Sequence, residues 1–594
     1  MEAELLDKRQ ENNVEGNQNE RTVCIQNLLK FLNQKQTEKE ISKVTSEVEA
    51  VYKPQSKPYC FVTFKTTEAR DAFIELAPSI RIKNKTIKVK SSKSNQDVFT
   101  RQKQQSMKEA KMNEKKRNKE VKIYTDIREK IIPYYQIDYN EQLTIKQDAC
   151  KEIFKSIAKG VMDTVNLDFP LRRTWLNSYE DLTKDKNEDF FKLLETIKYV
   201  ENWRDSPRNK IECTFGNKEG RVVIGFVLNN VNSNLEISND LDMPTIDEGM
   251  RKMIKITEDF SNGLKSPSDD TLSLKAFDFS TKSGFFRNLA IRKSMSKNEL
   301  VLKLVVNTSK DTEEYHHLVN NIKSWYSPKM LPDHEIVGFV IETYEGISNS
   351  IPNDKNSQEI VMGDRNYVYD SFMEKLFKIP IDGFFQVHLK PAETLFKEIE
   401  KILNIDENTV LLDICAGTGS FGITLGEKAK EVVFIEMESS ACDMIKSNIY
   451  LNWDIKQDGN GVPNDAANTQ ASHELIEVND RVLRIYNDKI ENCIEEIHTL
   501  YSSKALRIIA LVDPPRAGLH PSVAKTLRTF KGVDELVFVS CDFKQAKQNI
   551  ISLCAEETKR VRGPPFSPLK VIPFDIFPLT PHYETVVHLK RLYE

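Results

Sequence analysis

No pair among the nine cysteines has C-x-x-C spacing. They stand at 24, 60, 150, 213, 415, 442, 493, 541 and 554. That scatter argues against a zinc or iron–sulfur site, so no metal is expected, and it points to a reducing compartment. No apolar run approaches the roughly 18 residues of a membrane span, so no membrane partner is expected. The opening stretch MEAELLDKRQENNVEGNQNE lacks the apolar core of a secretory signal. It is also too acidic for a mitochondrial presequence. The expected location is cytosol, nucleus or both. An excess of positive charge is missing as well. Lys+Arg number 85 and Asp+Glu 89, a net charge of -4. The whole molecule is therefore no polycationic nucleic-acid binder, and any basic surface is local. Hydrophobic residues, at 39% of 594, fall below the usual globular share, so part of the chain lies outside any core.

What is present organises into segments. Residues 1–20 are polar and read as a disordered tail. Residues 21–91 read as a small β/α domain, with strands at Arg21–Leu28, Lys57–Phe64 and Arg81–Lys90 and a helix at Glu68–Leu76. Residues 92–122 hold ten Lys/Arg against four acids and read as a basic linker or lone helix. Residues 123–370 mix strands and helices, an α+β pattern read as a central RNA-binding domain. Beyond 370 the chain is regular. Short apolar strands at Val410–Cys415, Glu431–Met437, Val482–Asn487, Ile508–Asp513, Glu535–Cys541, Lys570–Phe577 and Thr585–Leu592 alternate with helical segments. This predicts an α/β fold for 371–594, a seven-stranded doubly wound, Rossmann-like sheet with ligands at the strands' carboxyl ends. Residues 454–478, rich in Asn, Asp and Gly, read as a surface insertion.

The chemistry-bearing residues gather at those strand ends. In VLLDICAGTGSFGITLG (410–426) a strand ends at Asp413, and Gly417 and Gly419 let the backbone approach a ligand. D-x-x-x-G-x-G lacks the third glycine of dinucleotide loops and resembles the loop of adenosylmethionine-dependent methyltransferases. Glu436, ending the next strand, can accept hydrogen bonds from both ribose hydroxyls. In LVDPPRAGLHP (511–521) Asp513 ends a strand, and the proline pair stiffens the loop after it. Cys541 stands where a strand stops and a helix begins, a place where the helix terminus lowers a thiol pKa. Glu584, in P-H-x-E, is either a solvated strand end or a buried general base with a raised pKa. Gln386 lies among aromatic and aliphatic residues ahead of a helix.

DGFFQVH, DICAGTGSFG, VDPPRAGLH, FVSCD and TPHYET, in this order, resemble the uracil-5 RNA methyltransferases. The likeness extends upstream to SPRNKIECTFG (206–216) and YNEQLTIKQDAC (139–150), and so spans about 125–594. By that resemblance Cys541 is the nucleophile, Glu584 the base, and S-adenosyl-L-methionine the cofactor. Gln386, Cys415, Gly417, Ser420, Glu436, Asp488 and Asp513 are then cofactor positions. RNA contacts are implied at Arg208, Lys210 and Arg516. Two features depart from the family: S-C-D-F stands where S-C-N-P is usual, and the iron–sulfur cysteines of some bacterial relatives are absent. Asp542 beside Cys541 is expected to raise its pKa. KPYCFVTF (57–64) resembles the RNP1 octamer of an RNA-recognition motif, with Tyr59 and Phe61 in the stacking places. VCIQNL (23–28) resembles RNP2 with Cys24 replacing an aromatic residue. This RRM-like domain binds either RNA or protein.

The activity implied is methylation of uridine C5 in RNA through a covalent Cys–C6 adduct, with the tRNA T-loop as substrate and a monomer as the working unit. Two other readings remain. One is an RNA-binding or tRNA-folding protein with weak catalysis, against which Cys541 and Glu584 both speak. The other is RNA cytosine-5 methylation, which places its cysteine beside the proline pair, where this chain reads DPPR.

Overall fold

The computed structural model describes residues 21–28, 34–53, 59–82, 85–91, 122–164, 192–231, 234–346, 355–453, 473–478, 481–501, 506–530, 532–557 and 562–591. The expected tail (1–20), the basic run up to residue 121 and the insertion as far as residue 472 lie outside these. The chain divides into two compact units, 1–122 and 123–594.

The first unit is built on a four-stranded antiparallel sheet. Its strands are β1 (Thr22–Gln26), β2 (Val48–Tyr52), β3 (Tyr59–Phe64) and β4 (Lys88–Ser91), in the order β2-β3-β1-β4. Helices α1 (Gln34–Ser42) and α2 (Thr67–Leu76) are also present, the latter capped by the Thr66 hydroxyl. Val23, Ile25, Cys60, Val62 and Phe64 face the core with Ile41 and Phe73. The alternation leaves Cys24, Tyr59 and Phe61 on the opposite face. There Phe61 lies opposite Cys24 in register and stacks on Tyr52 at 6.4 Å and 17°. Tyr59 meets it edge-on at 5.8 Å. The sequence pattern of RNP motifs had not pointed to Tyr52.

Near its start the second unit carries the 24-residue helix α3 (Tyr139–Met162), whose N-cap Asp138 accepts from the Asn140 amide. A seven-stranded sheet follows, formed by β5 (Lys210–Lys218), β6 (Arg221–Val231), β7 (Asn234–Ser238), β8 (Phe286–Lys293), β9 (Glu299–Val306), β10 (Glu335–Thr343) and β11 (Gln358–Gly363). Its order is β11-β10-β9-β8-β5-β6-β7, antiparallel except between β9 and β10. Helices α4 (Glu248–Gly263) and α5 (Glu313–Trp325) bury apolar faces in the same core. A hairpin, β12 (Tyr367–Phe372) with β13 (Lys375–Pro380), comes next, and the boundary read at 370 falls inside β12. Asp370 accepts from the Met295 and Ser296 amides on one side. On the other side Asn452 and Asn448 accept from Leu376 and Lys378. The hairpin so ties the seven-stranded sheet to the C-terminal layers.

Those layers hold an eight-stranded sheet. The strands are β14 (Thr409–Ile414), β15 (Glu431–Glu436), β16 (Glu474–Val478), β17 (Arg481–Asn487), β18 (Arg507–Val512), β19 (Val533–Ser540), β20 (Phe566–Phe574) and β21 (Glu584–Arg591). Their order is β16-β17-β15-β14-β18-β19-β21-β20. All seven strands read from the sequence are present. The eighth, β16, corrects the count: it pairs antiparallel on the edge, within the segment read as an insertion. β14 is buried along its whole length, as a central parallel strand with helices on both faces must be. Those helices are α6 (Leu389–Leu403), α7 (Ser420–Leu425), α8 (Ser439–Asn452), α9 (Ile490–Tyr501), α10 (Pro521–Thr529) and α11 (Phe543–Cys554). Leu395, Phe396 and Ile399 of α6 pack on one face of the sheet, and Phe154 and Ile157 of α3 on the other.

Candidate active site

The carboxyl ends of β14, β15, β18 and β19 form one rim, and the loops beyond them carry the polar side chains. After β14 the backbone turns through left-handed conformations at Cys415 (φ 62), Gly417 (φ 57) and Gly419 (φ 79). Glycine is needed at 419, where a Cβ would lie 3.1 Å from Ile423. The space beside Gly417 is open, so a ligand can lie against that backbone. Cys415 is strained for a non-glycine residue, and its amide is held by the Ile435 carbonyl at 3.0 Å.

Two carboxylates fix this loop. Asp413, 1% exposed, accepts from the Gly422 amide at 2.8 Å, while its Oδ1 has no partner among the described residues. Burial pushes its pKa up to about 8. Glu436 accepts from Gly417 N and Glu438 N, both at 2.9 Å. Each oxygen keeps one accepting position for a ligand hydroxyl. Ser420 opens α7 at the same loop. Asp488, ahead of α9, accepts from the Lys489 amide and Asn492 Nδ2 at 2.7 Å. Its neighbour Asn487 reaches the carbonyls of Glu436 and Met437. We expect Glu436→Ala to weaken adenosylmethionine binding by about 1–3 kcal/mol, the loss of charge-assisted hydrogen bonds. Titration calorimetry checks this, and unchanged affinity would refute the placement.

The reactive pair forms where β19 and β21 run antiparallel. The ladder ends at Ser540–Thr585, and Cys541 and Glu584 are the next residue on either side of that last pair. They lie close enough for the Glu584 carboxylate to act on the thiol. Glu584 is 6% exposed, and its Oε1 has no partner among the described residues. Burial, then the nearby Asp513 carboxylate, holds its pKa well above the ordinary range. Burial also raises Asp513, to about 7.

Cys541 corrects one expectation. It precedes the cap Asp542, two residues before α11 begins at Phe543. Burial, then the carboxylates of Glu584 and Asp513, pushes its thiol up to about 11, against the pull of Arg516 and a backbone hydrogen bond. Desolvation therefore outweighs the helix terminus. Asp542 caps α11 and accepts from the Gln545 amide at 3.1 Å.

The segment before β5 closes the rim from the other side. Asn209 donates to the Gln386 carbonyl at 2.9 Å, and its own amide donates to Val387 O. The buried His388 ring binds Ser206 O at 3.0 Å, and burial lowers its pKa to about 4, so it is neutral at physiological pH. Exposed Arg208 is thereby brought into electrostatic reach of exposed Arg516, which also acts on Cys541. Lys210, by contrast, is paired with Glu212 at 2.7 Å. Tyr59 and Phe61 belong to the first unit. Asn209 and His388 were not singled out in the sequence; their only signal was membership of the RNK and QVH stretches. Among the described residues no cluster of three or more His, Cys, Asp or Glu could hold a metal ion, and no helix is long and apolar enough to cross a membrane.

Comparison with known proteins agrees with the resemblance drawn from the motifs. Residues 340–592 match the family described as tRNA (Uracil-5-)-methyltransferase. The chain is 25% identical over 545 residues to tRNA (uracil-5-)-methyltransferase homolog A of Homo sapiens, covering 90% of this chain and 77% of that one. The Mus musculus homolog A is 24% identical over 541 residues, covering 90% and 78%. Among solved structures, Pyrococcus abyssi tRNA (uracil-54, C5)-methyltransferase in complex with S-adenosyl-L-homocysteine is similar at 18% identity and a TM-score of 0.47, over 76% of this chain and 82% of that one.

Proposed function

We propose that this chain, whose residues 340–592 match the tRNA (uracil-5-)-methyltransferase family, methylates C5 of a uridine in RNA, and that its substrate is the T-loop uridine of tRNA. The observation that carries the reading is Cys541 beside the last pair of the β19–β21 ladder, within electrostatic reach of the buried Glu584. The open backbone beside Gly417, the unpartnered Oδ1 of buried Asp413 and the remaining acceptor positions of Glu436 fit adenosylmethionine. By the resemblance, Gln386, Cys415, Ser420, Asp488 and Asp513 would complete the cofactor site. When bound, the cofactor supplies an electrophilic methyl carbon.

The chain's own residues supply the rest. Uracil C5 is a weak nucleophile. The Cys541 thiolate adds to C6, which forms the S–C6 bond and pushes the ring electrons towards C5. Once C5 carries the methyl group, Glu584 takes the C5 proton. The electrons of the C–H bond restore the C5–C6 double bond and expel the thiolate. Neither partner can reach a stacked base, so the uridine must be turned out of the loop. Arg208 and Arg516 flank the cleft and suit phosphate contacts. The face bearing Tyr52, Tyr59 and Phe61 suits stacking with single-stranded bases.

Nucleoside mass spectrometry of tRNA treated with the pure protein and adenosylmethionine tests the reading. It requires 5-methyluridine at the T-loop position, and its absence would refute the proposal. A pH dependence follows as well. Cys541 reacts as thiolate, yet burial holds the thiol near 11. Glu584 must be ionised to take a proton, yet its pKa is raised. Both needs are met better as pH rises, so single-turnover rates should climb from pH 6 to 9 without a plateau near 7. A flat profile over that range would contradict the assigned environments.

A further inference from the structure

Helix α3 is remote in sequence from the reactive pair, yet one of its faces is given over to the loop that carries Glu584. Gln142, Lys146 and Cys150 recur every four residues and so share a side of the helix. Gln142 and Lys146 meet the connection between β20 and β21, and Cys150 meets the start of β21. Gln142 Oε1 accepts from the Leu579 amide at 3.1 Å. Gln142 Nε2 donates to the carbonyls of Tyr134 and Ile137, which locks its amide. Lys146 Nζ lies 2.6 Å from Asp575 Oδ1, with both side chains 0% exposed, and donates to the Phe577 carbonyl at 3.0 Å. Tyr139 Oη donates to the other Asp575 oxygen at 2.9 Å. Cys150 lies beside Thr585.

The placement of Asp575 gives this cluster its meaning. Phe574 is the strand partner of Glu584, and Asp575 is the next residue. The buried ion pair therefore sits at the register of the base. The connection itself is poorly held from within: Leu579 has a positive φ of 63°, and a turn at Phe577–Thr580 is its main internal hydrogen bonding. The mechanism above uses none of these α3 side chains. A buried ion pair is a weak device for stability, because desolvation offsets most of the attraction, but it is a strong constraint on geometry.

We infer that Lys146 is a positioning residue for Glu584, acting through Asp575 and the Phe577 carbonyl to fix the connection that aims the base at C5. This rests on the proposed uridine methylation. A misplacement of about 1 Å far from the chemistry can cost on the order of 10²-fold in rate.

The test uses the full chain and Lys146→Met. Its kcat should fall about 10–100-fold while KM for RNA and for adenosylmethionine changes less than about twofold, with methylated protein–RNA adduct building up on denaturing gels. Amides of residues 577–584 should exchange hydrogen at least about tenfold faster, with those of β14 and β15 unchanged. If the unpaired Asp575 prevents folding, Lys146→Met/Asp575→Asn removes both charges, keeps an acceptor for Tyr139, and should show the same pattern. Unchanged kcat with only a lower melting temperature would overturn the inference, as would unchanged exchange in 577–584. If the wild-type protein fails to methylate uridine RNA, the functional proposal falls, and the exchange measurement alone decides whether Lys146 fixes the connection.

Discussion

Cys541→Ala should abolish methylation, by on the order of 10⁴-fold or more, while adenosylmethionine binding survives. The size follows from losing covalent catalysis outright. Cofactor affinity survives because the loop that would hold it is built by Asp413 and Glu436, two strands or more from β19. The wild-type protein should also form a denaturation-resistant adduct with 5-fluorouridine RNA, because fluorine at C5 cannot leave as a proton. The alanine variant should form none. An adduct on Cys541→Ala, seen as a shifted band on a denaturing gel, would show that another residue attacks C6.

Glu584→Gln should do something different. The amide is nearly isosteric, so the fold and the Cys541 environment persist. Addition to C6 and methylation of C5 still occur. Removal of the C5 proton fails, so the thiolate cannot leave. A methylated protein–RNA species therefore accumulates with ordinary uridine RNA. Turnover falls by at least about 10²-fold, the lower end for a general base. The variant also removes a carboxylate that raises the thiol pKa, so the adduct should form no more slowly than in the wild-type enzyme. Inactivity with no trapped species by gel and mass spectrometry would remove Glu584 from the role.

Much of the C-terminal architecture was readable because buried parallel strands are continuous apolar runs. Val410–Ile414 and Ile508–Val512 announce themselves. The edge strand β16 (ELIEV) buries only Ile476 and Val478 and gives no such run, so its segment read as an insertion. The residue types of the site were also readable, since each stands at a strand end. Their mutual arrangement was not. That Cys541 comes within reach of Glu584 depends on β21 inserting between β19 and β20, a long-range choice that no local pattern encodes. The thiol's environment was misjudged for a related reason: the helix terminus is local, whereas burial and two distant carboxylates are not.

Inserting β21 between β19 and β20 makes the sheet a vernier as well as a scaffold. Successive residues of a strand face opposite sides, so a slip of one residue would carry Glu584 through the sheet and away from Cys541. The ladder with β20 already spends one irregularity, between Pro568 and Lys570. The placing of carboxyl beside thiol is thus quantised: a one-residue slip leaves the strand intact and turns Glu584 to the other face.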